Sequence, residues 1–253
     1  MRILIKNMMY IFSFFLLGCD KNESLNPPSN GEMVSVIAKM PAGSKILPLE
    51  IMYRSTTCLK SRKDSNGGIV KEPGYYFVKK EFNSVSDDNI FNLKIPRDGG
   101  GQCNWELSNI TLGFYLKELP SGKDEKSENI PIKEIIVFDD NSPQRLSGTY
   151  EIINGDVTLK ENYFPLITKR RNSNTLLEYS IVRSSPDVIY KSTSAKKVIF
   201  EPRIHFSKVL RATEPTGQKV GVYMSVLYPD GTIENGPYFP NYKKLQFLER
   251  GND

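Results

Sequence analysis

His205 is the only histidine among the 253 residues, and it sits in Phe200-Glu201-Pro202-Arg203-Ile204-His205-Phe206-Ser207. Strand alternation puts Phe200, Ile204 and Phe206 on an inner face and turns His205 outward with Glu201, Arg203 and Ser207. A Ser-His-Asp hydrolase holds its histidine in a cleft beside the nucleophile. No serine here stands in a Gly-x-Ser-x-Gly elbow. Asp139-Asp140-Asn141 lacks the ligand order, central glycine and terminal glutamate of an EF-hand loop. It and Asp87-Asp88-Asn89 read as turns that end strands. Asp98-Gly99-Gly100-Gly101 lacks the Gly-Lys-Ser/Thr end of a phosphate loop and reads as a tight turn. Carboxylates paired in space for glycoside hydrolysis stay open, because sequence does not reveal such pairing. The expectation is a protein that is not an enzyme, without catalytic residue, metal ligand or cofactor.

The chemistry with a clear pattern is that of cysteine. Arg2 and Lys6 precede an apolar run from Met8 to Leu17, and Leu16-Leu17-Gly18-Cys19 closes it. Charge, apolar run and small residue follow the order of a secretory signal peptide. The run is too short to span a bilayer core, which takes ~20 residues. Its end resembles a bacterial lipobox, which implies cleavage before Cys19 and lipid attachment to it. Residues 1–18 are then a signal peptide and 19–31 a lipidated, flexible tether of polar residues and prolines. Asp20 resembles the retention signal of inner-membrane lipoproteins, so the periplasmic face of the inner membrane is favoured over the outer membrane. Cys58 and Cys103 remain, an even number in an oxidising compartment, and a disulfide is their natural pairing. Two buried thiols are the alternative. A zinc site has neither a second cysteine nor a histidine nearby.

These residues need a scaffold, and the pattern predicts strands. Val34, Val36, Ala38 and Met40 alternate, as do Leu49, Ile51, Tyr53 and Ser55, and then Phe91, Leu93 and Ile95. Cys103, Trp105 and Leu107 share a face, after which the apolar residues change parity to Ile110, Leu112, Phe114 and Leu116. That change predicts a β-bulge near Ser108-Asn109. Ile132–Phe138 reads as a buried strand. Asn154-Gly155 reads as a hairpin turn between Tyr150–Ile153 and Val157–Leu159. Lys197–Val209 and Val220–Tyr228 read as strands, Lys60–Gly74 as a long polar loop, and Tyr242–Arg250 as one or two helical turns. The fold class is all-β with little helix. Residues 32–250 form a β-sandwich domain, one large or two small, with a subdivision possible near 120–130.

Formal charge is +5 for the whole chain. Loss of Arg2 and Lys6 leaves 32 basic against 29 acidic residues, about +3. No long basic tract exists, and nucleic acid is excluded as a partner class on that ground.

Three stretches carry a resemblance: Met52–Cys58, Gly99–Asn109, and Tyr228–Ile233 with Gly236–Pro240. They resemble enterobacterial periplasmic lipoproteins of the kind that act as immunity proteins against type VI secretion phospholipase effectors. The resemblance implies a periplasmic protein that blocks a toxin arriving from a neighbouring cell. Its partners would be that toxin and, through the lipid, the membrane. The alternative is a structural or assembly lipoprotein of the envelope or secretion apparatus. Partner contacts are expected on the Lys60–Gly74 stretch, at Arg62, Lys63 and Asp64, with Pro120–Asn129 or the Tyr238-Phe239 turn next in order.

Overall fold

A computed structural model of the chain describes residues 23–86, 89–117, 127–141, 143, 148–171, 177–184, 188–215 and 221–250. Cys19, Asp20 and Asp87-Asp88 lie outside the described residues. The first part holds β1 (Met33–Lys39), β2 (Ser44–Ile46), β3 (Leu49–Lys63), β4 (Ile69–Lys80), β5 (Asn83–Ser86), β6 (Ile90–Pro96), β7 (Asp98–Gly100) and β8 (Trp105–Leu116). The middle holds β9 (Ser127–Asn129), β10 (Ile132–Val137), β11 (Thr149–Ile152), β12 (Val157–Leu159), β13 (Asn162–Lys169) and β14 (Leu177–Val182). The last part holds β15 (Val188–Lys191), β16 (Lys197–Phe200), β17 (Arg203–Ile204), β18 (Leu210–Thr213), β19 (Ser225–Leu227), β20 (Ile233–Asn235) and the helix α1 (Tyr242–Arg250).

Three sheets result. The first has the order β12-β16-β1-β6-β5, and the second β11-β15-β10-β8-β3-β4, with β2 and β7 also on β8. Their inward residues form one core. Val34, Val36, Ala38 and Ile95 from the first sheet join Leu49, Ile51, Trp105, Ile110, Leu112 and Phe114 from the second. The chain is therefore an all-β sandwich, and period-2 alternation is what assembles it. The third sheet, β20-β19-β18-β13-β14-β9 with β17 along β13, has a core of its own around Phe164, Leu166, Leu210, Val226 and Leu245 of α1. β13 serves both cores. Tyr163 meets Phe114 edge-on at 5.3 Å, while Phe164 meets Tyr242 of α1 at 5.8 Å.

The predicted bulge is present. Met52 pairs with Asn109 and Tyr53 with Leu107, which leaves Ser108 as the extra residue. Five expectations need correction. Lys60–Gly74 is not a loop, because β3 and β4 stay paired out to Lys63 and Ile69. That ribbon has water on both faces, so it shows no alternation. Its turn is carried by Asp64, whose Oδ1 accepts the backbone N–H groups of Asn66 and Gly68 at 2.9 and 2.8 Å. Asn154-Gly155 is not a hairpin, since β11 lies in the second sheet and β12 in the first. Lys197–Val209 breaks at Pro202, which has no N–H to donate, and the chain then turns at His205. No boundary falls near 120–130, as strands from both sides share the second sheet.

The fifth is the tether. Residues from Glu23 onward lie against the domain. Leu25 packs on the first core, and the Asn26 N–H donates to the Gly99 carbonyl at 2.9 Å. The Gly99-Gly100-Gly101 run exists for this contact. A Cβ on Gly100, at φ +56°, would lie 2.2 Å from the Asn26 carbonyl oxygen.

Candidate functional site

The third sheet and the outer face of the second enclose a cleft of about 850 Å³. Alternation on β10 and β15 places Ile135, Val137 and Ile189 outside the sandwich, where they form a small cluster of their own. Ile135 and Ile189 make one wall of the cleft. The other wall is the core face of the third sheet, through Leu166, Val182 and Met224. Tyr242 and Leu245 of α1 pack on part of that face, and the rest opens into the cleft. Tyr223, Tyr238 and Phe239 stand at the rim. Tyr238 is 62% exposed and Phe239 64%. The rings meet edge-on, Tyr223 to Tyr238 at 5.1 Å and Tyr238 to Phe239 at 4.6 Å.

The charges in the cleft are held in groups. Arg170, just past β13, donates from Nε to Glu178 Oε2 at 2.9 Å and also pairs with Glu214. Lys133 binds Glu50 at 3.0 Å, and Lys79 shares that carboxylate at 3.1 Å. Deeper in, Arg183 pairs with Glu134, whose side chain is fully buried, and the Tyr163 hydroxyl donates to the same carboxylate at 2.7 Å. Burial pushes the Glu134 carboxyl up, and Arg183 and Tyr163 pull it back only in part. Burial and the Glu134 carboxylate together raise the Tyr163 phenol. Glu161 extends the network, accepting from Ser184 at 3.0 Å and Tyr190 at 3.3 Å. This network ties the end of β14, through Arg183, to Glu134 of β10 and Tyr163 of β13.

The cysteines meet as expected. Cys58 and Cys103 form a disulfide with a Cα separation of 5.2 Å. Trp105 lies in the same core and packs against Tyr76 at 5.7 Å. His205 turns out to be half-buried. Its ring stacks on Phe164 at 4.7 Å, and Nε2 lies 3.1 Å from Asn162 Oδ1. Asp139 does end a strand, accepting the Asn141 backbone N–H at 2.9 Å. Among the described residues no group of three or more His, Cys, Asp or Glu is placed to hold a metal. Arg62 is bonded to Glu72 at 2.9 Å, and Asp64 is engaged in its own turn. The structure does not bring Arg62, Lys63 and Asp64 to the cleft.

Sequence reasoning missed Glu134 and Arg183. A signal existed, since Glu134 shares parity with Ile132 and Ile136 in an apolar strand, and an inward carboxylate there calls for a partner. The Tyr238-Phe239 turn, expected as a secondary contact, is exposed at the cleft rim, whereas the similar Tyr163-Phe164-Pro165 is buried.

Comparison with protein-family models, with curated proteins and with solved structures finds no match to this chain.

Proposed function

We propose that this chain is a periplasmic, lipid-anchored protein that grips a partner protein at the cleft and blocks it, as an immunity protein blocks a secreted phospholipase-type effector. The observation that carries the reading is the rim of Tyr223, Tyr238 and Phe239 standing open over an apolar cleft. Exposed aromatics beside a pocket are the composition of protein-binding hot spots. The charged groups inside are neutralised by one another, which suits affinity rather than turnover. The resemblance of the Tyr228–Pro240 stretch supports the same reading, since that stretch supplies the rim. The contact is assigned here rather than to Arg62, Lys63 and Asp64, because two of those three are already engaged within their hairpin.

The test is a competition between kin. Cells lacking the gene should lose to their parent only while the parent's secretion system is active. Wild-type protein should restore survival, and a Tyr238→Ala/Phe239→Ala protein of equal abundance should not. In vitro the double variant should bind the effector at least about tenfold more weakly, ~1.4 kcal/mol. Equal survival of the deletion strain overturns the reading. An envelope defect without toxin sensitivity would select the assembly lipoprotein instead. Cys19→Ser should release the protein from membranes.

A further inference from the structure

The opposite end of the molecule carries a second surface. The sheet ends where β8 begins, at the turn that leads through Cys103 to Trp105, and among its described strands only the β3–β4 ribbon runs on past that end. Five residue pairs extend beyond the disulfide, from Leu59–Pro73 to Lys63–Ile69. At about 3.4 Å per residue that is ~17 Å of ribbon. Residues directly opposite in an antiparallel pair share a face. One face therefore presents Leu59, Ser61, Lys63, Ile69, Lys71 and Pro73, with two lysines and no carboxylate. Ile69 is 74% exposed and Leu59 48%. Both acidic residues of the ribbon lie elsewhere, Glu72 on the other face and Asp64 in the turn.

A solvated ribbon with a large apolar side chain flanked by lysines resembles, in chemistry, the interfacial face of a membrane-surface element. A second observation gives it a direction. The N-terminal segment leaves the domain at this same end, with Ser24 and Asn26 against Gly101 and Gly100 and the Glu23 carbonyl bonded to Trp105 Nε1 at 2.8 Å. The aromatic ring of Trp105 also lies against Gly74, at the ribbon's base. From Cys19 to Glu23 the chain can reach only ~14 Å. A lipid on Cys19 would hold this end within about a ribbon's length of the bilayer.

We infer that the Leu59–Lys63–Ile69–Lys71 face of the hairpin rests on an anionic phospholipid surface. Ile69 enters the headgroup boundary, and Lys63 and Lys71 meet lipid phosphates. Each lysine near such a surface adds an attraction that salt screens. The inference rests on the proposed lipid at Cys19. It assigns the two ends separate tasks, because the cleft wall at Ile132–Ile135 pairs with Phe114–Thr111 of β8, about 20–30 Å along the sheet from Trp105.

The test uses the protein purified from membranes and reconstituted into vesicles, with mass measurement reporting whether Cys19 carries acyl chains. Ile69→Trp provides the probe, since the sole native tryptophan, Trp105, is fully buried. In phosphatidylethanolamine–phosphatidylglycerol vesicles containing brominated lipid, emission from position 69 should shift to the blue and be quenched about twofold or more. Lys63→Glu/Lys71→Glu, or phosphatidylcholine alone, should remove most of that quenching. A water-like, unquenched signal from acylated protein overturns the inference and leaves the lipid reading intact. Protein without acyl chains overturns the lipid reading, and flotation of that protein with anionic vesicles then decides the hairpin by itself. Protection of position 69 by the effector, with no response to lipid, makes the ribbon a protein contact and also overturns the inference.

Discussion

The indole N–H of Trp105 donates to the backbone carbonyl of Glu23, 82 residues earlier in the chain, at 2.8 Å. This bond and the Asn26–Gly99 bond fasten the N-terminal segment to the sandwich. Trp105→Phe removes the donor and leaves a smaller ring in a filled core. The expected loss exceeds the ~1 kcal/mol of the hydrogen bond, because the vacated space adds a cavity cost. Limited proteolysis should then cut between Glu23 and Asn30, where the wild-type protein resists.

Two glycines of the hairpin predict losses of different size. A Cβ on Gly74 would fall 1.9 Å from the Cys58 carbonyl oxygen, whereas one on Gly67 meets nothing within 4 Å. Gly74→Ala should cost more than 2 kcal/mol, roughly the upper range for a backbone forced to move. Gly67→Ala, at φ +82°, should cost only ~1 kcal/mol. Thermal melts of the two variants check the ranking.

Removing the bond between Cys58 and Cys103 frees a loop of 45 residues. Cys58→Ala/Cys103→Ala should lower stability by ~4 kcal/mol in the chain-entropy picture, read from denaturant midpoints.

Arg183→Met strands the buried Glu134 carboxylate and should cost ~3–5 kcal/mol at neutral pH. Burial already raises that carboxyl, and without the guanidinium it rises further. A carboxyl raised in the folded state binds its proton more tightly there than when unfolded. Stability of the variant should therefore increase as pH falls from 7 toward 5. Adding Glu134→Gln should recover much of the loss and remove the pH dependence.

Glu50 behaves in the opposite sense. Burial raises its carboxyl, but hydrogen bonds from Lys133 and Lys79 outweigh that and hold it below its ordinary 4.5. A lowered carboxyl contributes stability above the unfolded value and loses it as pH falls through the folded one. Wild-type melting temperature should drop below pH 4.5 more steeply than that of Glu50→Gln. The partly exposed pairs contribute ~0.2–1 kcal/mol each.

The sandwich was legible wherever one face of a strand is buried. Val34 to Ala38, Leu49 to Ser55 and Trp105 to Leu116 alternate because their inward residues are all excluded from water. The parity change at Ser108 even located the bulge. Legibility ended where burial did. The ribbon beyond Cys58 has two wet faces, so a paired strand there looks like a loop. Asn154-Gly155 is a sound turn signal, yet a turn does not specify whether its flanks pair with each other or part to different sheets. Asp156 decides it, accepting the N–H groups of Lys196 and Lys197 at 2.9 Å and so holding β12 beside β16. The cleft was not legible at all, because its walls come from β10, β13, β14 and β15 and meet only in space. Sequence ranks the Tyr238-Phe239 turn behind Lys60–Gly74 as a contact, since type alone does not distinguish a core ring from an exposed one.

β1 lies between β6 and β16, and its parallel register runs Ser35 to Lys197 and Ala38 to Phe200. A chain that emerges N-terminus first presents β1 early and its β16 neighbour only near the end. Until then the apolar strand Val34-Ser35-Val36-Ile37-Ala38 has an open edge, the kind of template on which other extended chains stack. Parallel partners so distant in sequence are slow to meet. Synthesis of this protein thus carries a vulnerable interval, and fragments ending before Lys197 should aggregate where the intact chain closes its sheet.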